Sequence, residues 1–269
     1  MIKNVNLLYL FKFFFLVFIV SCTEISNAQR KDIVISEYLS SNSDMMKVKM
    51  GTAWLGRIMN FKFGDYTVLR KSRMRPGVTV QKSNILGTKS ESKTNYKFSF
   101  TLTNKMVDSA FVDALYSKNI DRIHSFELFH IFYLGSDEVL KDSTNFIANI
   151  SLSSNINDKW SLSLQINSGT KTEFKHGGTL TNGDRVIWIE PVSSNRFGKD
   201  KRWFPALGYE FTENKKAICA VQYFGGGSFG LNKNRIWIDS NLNEEMKLIL
   251  AASMVAIMQL KLSEMSEDE

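Results

Sequence analysis

The sequence predicts a mainly β fold: a β-barrel or strongly curved antiparallel sheet with a buried hydrophobic C-terminal helix. Three observations carry this. Apolar and polar residues alternate in runs such as "YKFSFTLT" and "WSLSLQINS", the pattern of a strand with one buried face. Turn signals separate the runs, most clearly Asn182-Gly183 between "GGTLT" and "RVIWIEP", a dipeptide suited to two-residue hairpins. From Leu248 to Met258 every residue except Ser253 is apolar, and a helix apolar all round is enclosed by protein or lies in lipid.

The chain begins before this fold. Lys3 and Lys12 supply positive charge, and Phe13 to Val20 is an apolar run of eight residues. That is the layout of a secretory signal, too short for a membrane span of ~20 residues. Two cuts compete. Ile19-Val20-Ser21-Cys22 resembles a bacterial lipobox, in which the Cys22 thiolate would take the lipid. Ser26-Asn27-Ala28 has the small residues of an ordinary signal peptidase site. The lipobox stands directly at the end of the apolar run, whereas the alanine site needs a longer polar approach containing Glu24. Residues 1–21 are therefore expected to be a lipoprotein signal peptide and Cys22 the lipidation site. The expected address is the cell envelope, lipid-anchored to a membrane. Cleavage after Ala28 is the alternative and would leave a periplasmic or secreted protein. Residues 22–47, with Ser41-Asn42-Ser43-Asp44 at their polar centre, are expected to be a tether. Residues 48–263 form one expected β-rich domain, followed by an acidic tail, 264–269.

In "RIMNFKFGDYTVLRK", Met59, Phe61 and Phe63 oppose Ile58, Asn60 and Lys62, with a turn at Gly64-Asp65. The polar centre of "GVTVQKSNILGTKSESKTNYKF" predicts a loop. Beyond it Tyr96, Phe98, Phe100 and Leu102 share one strand face. Val107, Ala110, Phe111, Ala114 and Leu115 recur at helical spacing, predicting a short amphipathic helix over 105–117. "FELFHIFYL" is apolar on both faces and predicts a central strand. "NFIANISLS" and "WSLSLQINS" are strands, the second with Trp160, Leu162, Leu164 and Ile166 on one face. Thr212-Glu213-Asn214-Lys215 predicts a hairpin between "LGYEF" and "KAICAVQYF". Asn243 caps the last helix, and Glu244 and Glu245 suit its positive end.

Chemistry is sparsely marked. Of two cysteines, Cys22 is spoken for, so Cys219 in "AICAVQYF" reads as a buried small hydrophobe. The 34 basic and 27 acidic residues give +7. Removing Lys3 and Lys12 leaves 32 against 27, or +5, which suits weak attraction to anionic surfaces and gives no expectation of nucleic acid. Gly225 to Gly230 matches G-x-G-x-x-G, but "NRIWI" follows as a strand, and the dinucleotide motif needs a helix there. His124, His130 and His176 show no metal-site spacing, and the common nucleophile, zinc and phosphate-loop motifs do not occur. No cofactor, metal or catalytic residue is expected. Arg70, Lys71, Arg73 and Arg75 form the one dense basic cluster, a candidate contact for anionic headgroups or else a solvated loop. Arg196, Lys199, Lys201 and Arg202 form a looser group beside Trp203 and Phe204.

The hairpin "GYEFTENKKAICAVQYF", the strand "NRIWID" and the apolar helix "LILAASMVAIM" resemble the C-terminal part of the tubby-like superfamily, which includes the LURP-one-related proteins and the phospholipid scramblases. The resemblance covers Gly208 to Leu260. It implies a closed barrel threaded by its own helix, and lipid-linked roles. The expected function is that of a non-enzymatic envelope protein binding a partner or a membrane surface. The alternative is an exported enzyme whose site assembles only in space.

Overall fold

The computed structural model describes residues 32–51, 60–71, 75–84, 88–105, 108–124, 126–128, 132–134, 136–170, 175–197, 205–225 and 234–265. The described residues open with a short helix, α1 (Glu37–Asn42), and two short strands, β1 (Met46–Lys47) and β2 (Lys49–Met50). There follow β3 (Phe61–Phe63), β4 (Tyr66–Lys71), β5 (Arg75–Ser83), β6 (Lys89–Asn104) and β7 (Ser109–Ile123). Next come β8 (Phe126–Leu128), β9 (Phe132–Leu134), β10 (Glu138–Leu152), β11 (Lys159–Ser168), β12 (Lys175–Thr181) and β13 (Val186–Ser193). The chain ends with β14 (Leu207–Glu213), β15 (Lys216–Phe224), β16 (Arg235–Ile238) and the long helix α2 (Glu244–Met265).

All but β8 and β9 belong to one antiparallel sheet, in the order β1-β16-β15-β14-β13-β12-β11-β10-β7-β6-β4-β3-β2, with β5 also on β6. The two ends of that order are halves of one segment, Met46–Met50. Met46 and Lys47 pair with Ile236 and Arg235, while Lys49 and Met50 pair with Lys62 and Phe61. Between them the Val48 N–H donates to the Asn234 carbonyl at 3.0 Å. A single stretch of chain thus bonds both ends of that order, and the sheet returns on itself as a nearly closed barrel.

Alternation decides what the barrel holds. Phe98, Phe100 and Leu102 of β6, Val112 and Tyr116 of β7, and Phe146, Ile150 and Leu152 of β10 face inward and are buried. Lys97, Asp113, Asn149 and Ser163 take outward positions. The interior is filled by α2, where every residue from Leu248 to Leu260 is buried. The helix is long and apolar enough to cross a membrane, yet 83% of its apolar window is enclosed by the protein. Its one buried hydroxyl in that stretch, Ser253, donates to the Ile249 carbonyl at 2.9 Å, so it enters the core without an unmet hydrogen bond. Cys219 sits in the same core, fully buried.

The structure corrects four expectations. No helix forms over 105–117: Ser109–Ile123 is β7, paired along its length with β6 and β10. Its buried set, Ala110, Val112, Ala114 and Tyr116, has period two, and Phe111 and Leu115, which completed the helical spacing, are 41% and 39% exposed. Two continuous ladders outweigh a weak local helix preference. Residues 32–47 are not a free tether. Ile33 and Leu39 pack with Val192, Ala206, Ala217, Ala220 and Trp237 into a second cluster on the outside of β13–β16. The stretch from "FEL" to "FYL" is no central strand: β8 and β9 pair with each other, apart from the main sheet. The polar loop is also shorter than expected, since β6 starts at Lys89.

The strap over β13–β16 is fixed by polar contacts. The Ile33 N–H donates to Gln222 Oε1 at 3.0 Å and the Ser36 N–H to Glu210 Oε1 at 2.6 Å. Arg235 pairs with Asp32, and Tyr38 donates to Asp239 Oδ2 at 2.9 Å. Ser36 caps α1, accepting from the Leu39 N–H at 3.4 Å. With the strap outside and α2 inside, β14–β16 are covered on both faces, which accounts for the unbroken apolar run around Cys219.

Candidate functional site

Strand directions give the barrel two unlike ends. The helix start and the tight connections lie at one end: Gly64-Asp65, Ser153–Asp158, Asn182–Arg185, Asn214-Lys215 and Asp239–Asn243. Residues 51–60, 124–137, 169–174, 194–206 and 225–234 connect strands at the other end, where α2 also finishes. The described chain enters there too, since Asp32 pairs with Arg235 at the first residue of β16. Binding residues concentrate on loops held by a rigid scaffold, so the loop-bearing end is the first place to look.

A polar cluster closes the core at that end. His176 Nε2 and the Tyr209 hydroxyl are 2.7 Å apart, and the Tyr209 ring lies 5.5 Å from that of Tyr223. The Lys261 Nζ stands 5.5 Å from the Tyr223 ring centre and 2.8 Å from Glu264 Oε2. Tyr96 and Tyr116 stack at 5.5 Å on the inward face of β6 and β7. Burial, reinforced by Tyr223 and Glu264, pushes the Tyr209 phenol well above its ordinary value. Burial and Glu264 do the same for Tyr223. Burial first and Lys261 second hold His176 below the usual histidine range. Tyr209, Tyr223 and His176 are therefore neutral at physiological pH. They offer hydrogen bonds and ring faces. Cys219 is inert as well, its thiol pKa pushed up by burial and by Glu210.

At the turn-bearing end a groove of about 400 Å³ opens beside the start of α2. Tyr66, Asp65, Asp44 and Glu244 are among its lining residues. Burial, then Glu244 and Asp65, push the Tyr66 phenol up to about 12. Among the described residues no three His, Cys, Asp or Glu side chains converge to hold a metal ion.

The residues singled out in the sequence fall as follows. Cys22, Arg73, His130, Lys199, Lys201 and Arg202 lie outside the described residues. The backbones of Arg70 and Lys71 on β4 and Arg75 on β5 pair with Thr101, Phe100 and Lys97 of β6. That places these three on wall strands, not in a loop. Arg196 pairs with Glu210 at 3.2 Å beside the strap. His124 meets the Ser90 hydroxyl at 2.6 Å, far from His176 in the sheet. Gly225 follows β15 with φ 74, and the next element among the described residues is β16, a strand. Sequence reading missed Tyr66, Tyr209, Tyr223 and Lys261. No family model, curated protein or solved structure matches this chain.

Proposed function

We propose that this chain is an exported, lipid-anchored, non-enzymatic protein of the bacterial cell envelope that meets the membrane surface with the loop-bearing end of a tubby-like, helix-filled barrel. The observation that carries the reading is where the chain enters. Cys22 stands ten residues before Asp32, and Asp32 is fixed at the loop-bearing end. Ten residues reach at most about 35 Å when extended, and as a coil roughly 18 Å. The 22-residue α2 separates the two ends of the core by about 33 Å. At coil length such a linker would favour the loop-bearing end facing the bilayer. A core filled by its own helix leaves no lumen for a substrate, and binding then falls to the surface. The basic stretch Arg70, Lys71, Arg73 and Arg75 would add attraction for anionic headgroups, at ~1 kcal/mol per charge near the surface. An unidentified envelope protein is the other partner class this reading admits.

The test has two arms. Cys22→Ala should abolish incorporation of labelled fatty acid, and mass spectrometry should find the mature chain starting at acylated Cys22. A mature N-terminus at Gln29 without lipid would overturn the anchor. The delipidated domain should then float with anionic vesicles and detach at ~1 M salt, where screening shortens to ~3 Å. Binding that ignores vesicle charge would overturn the headgroup contact.

A further inference from the structure

We propose that the outer edge of β5 is a docking site for an extended acidic segment of a partner protein, which adds to the sheet as one more antiparallel strand. Residues 78–83 of β5 pair with β6, and among the described residues no strand bonds their other side. Such an edge presents a row of unpaired N–H and C=O groups, a template for another chain. Both faces of the strand are open as well. Residues 78–84 are all exposed, with Val78 at 70% and Val80 at 49%. The edge is held ready from behind. The Thr79 and Thr94 hydroxyls lie 3.1 Å apart across β5 and β6. At the turn between these strands the Asn84 N–H donates to the Lys89 carbonyl at 3.1 Å. Asn84 Nδ2 donates to Thr88 Oγ1 at 2.8 Å, and the Lys89 N–H to Asn84 Oδ1 at 3.0 Å. Folded proteins blunt long edges with proline, charge or a bulge. β5 carries these only toward its ends, with Pro76 inside the register shift between Arg75 and Val78 and with Lys82 near the turn. The run "VTVQ" between them is left open.

The backbone selects an extended chain, and strand addition is a recurring mode of peptide recognition. Side chains then select which chain. Val78, Val80 and Lys82 share the outer face, opposite Asn95, Lys93 and Glu91 of β6. Lys89 and Lys97 alternate onto the same face of β6, and both are exposed, as are Lys93 and Lys82. Glu91 is the one acid among these positions of the two strands. A second copy of this chain, adding its own β5, would bring the same lysines against this face. An acidic segment meets complementary charge instead. The pairing also sets its pattern, because residues directly opposite on neighbouring strands touch. An antiparallel strand places an acid opposite Lys82, small polar residues opposite Gln81 and Thr79, and branched apolar residues opposite Val80 and Val78. Read from its N-terminus, the segment runs acid, polar, apolar, polar, apolar.

The test is a titration of the full-length chain with a synthetic peptide blocked at both ends, Ser-Glu-Thr-Val-Thr-Val-Ser. It should shift the backbone resonances of Val78, Thr79, Val80, Gln81 and Lys82 in a saturable way and slow hydrogen exchange along that edge. The same peptide N-methylated at every residue cannot donate to a strand edge and should not bind. Replacing its glutamate with lysine should weaken binding about fivefold, as for reversal of one cross-strand charge pair. Lys82→Glu should exchange the preference, weakening the glutamate peptide and strengthening the lysine one. The peptide arms use the native chain, so they decide the matter even if that variant fails to fold. No saturation below roughly 1 mM, retained binding of the N-methylated peptide, or shifts confined to other residues would overturn the site. Shifts of the same β5 resonances on concentrating the chain without peptide would make a second copy the occupant and overturn the acidic partner. The edge is a feature of the sheet and the titration needs no bilayer, so this proposal and the membrane reading fail separately.

Discussion

Placing a charge at the middle of α2 tests the central claim about this fold, that the helix is the core of a barrel. Met254 has 0% exposure. It lies ten residues from Glu244 and eleven from Met265 in a helix of 22, hence about 15 Å from either end at 1.5 Å per residue. A lysine side chain reaches roughly 6 Å and cannot carry its ammonium to water from there. The surrounding wall supplies Phe100, Val112, Ile150, Leu162 and Phe211, none with a counter-charge. Met254→Lys therefore buries an unpaired charge. Such a change costs several kcal/mol, against a total stability of about 5–15 kcal/mol for a domain. Met254→Leu keeps volume and polarity and should cost under about 1.5 kcal/mol. Urea unfolding of the two variants beside the parent chain measures the difference. A midpoint for Met254→Lys within about 1 kcal/mol of that for Met254→Leu would mean that the helix reaches water or lipid, and the barrel reading would fall. Removing residues 246–269 should be worse, since an emptied barrel keeps a large apolar void. A cooperative transition in that truncated chain, like that of the parent, would refute the same claim from the other side.

Leu39→Ala should cost about 2–4 kcal/mol, the usual loss for a fully buried leucine, because Leu39 is 0% exposed under the strap. Met45→Ala, at 40% exposure, should fall within about 0.5 kcal/mol; equal effects would mean that the strap is a tether after all. His176 is held below its ordinary value of 6.5 by burial and Lys261. Its unfolded form then binds more protons in that window, so stability should rise with pH and be lost as pH falls through about 6.5 toward the folded value. His176→Gln should flatten the slope between pH 7.5 and 5; an unchanged slope would refute the assignment.

Much of the wall was legible in local sequence because alternation is a local property. Phe98, Phe100 and Leu102 were placed inward by period two alone, and all three are buried. The hairpin at 212–215 was visible for the same reason: Asn214 and Lys215 adopt φ 50 and 66, the left-handed pair that a two-residue turn requires. The Asn182-Gly183 turn holds with Gly183 at φ 99. The helix core was legible from composition, since no polar face remained to meet water. What escaped was non-local. In 109–117 small apolar residues satisfied both periods, and only the neighbours β6 and β10 decide between them. The strap offered two isolated apolar residues, Ile33 and Leu39, in a polar run. Their partners lie more than 150 residues away, as the bond from Ile33 to Gln222 illustrates. The tyrosines of the candidate sites look like core residues in sequence. Only the fold shows which of them end at an open groove.

The closure segment links these levels. Met46–Met50 is short, and in sequence it reads as the tail of a polar stretch. Yet it supplies the bonds that join β16 to β3, and those bonds fix the barrel circumference around α2. A wall held open would expose the inner faces of Phe61, Phe63 and Ile236, all of which are buried. Closure, helix insertion and strap docking therefore depend on each other. The strap lies over β16, β16 carries β1, and the chain passes directly from β16 into α2. The three covering events meet on one strand of four residues, all of them buried. This coupling explains why the residues before Met46, polar as they are, are part of the folded domain. It also fixes the exit of the N-terminal chain at the loop-bearing end, because the strap must run from Asp32 beside Arg235 to Ser43 beside Asp239. The orientation that a lipid on Cys22 would impose thus follows from the route the chain takes to close its own barrel.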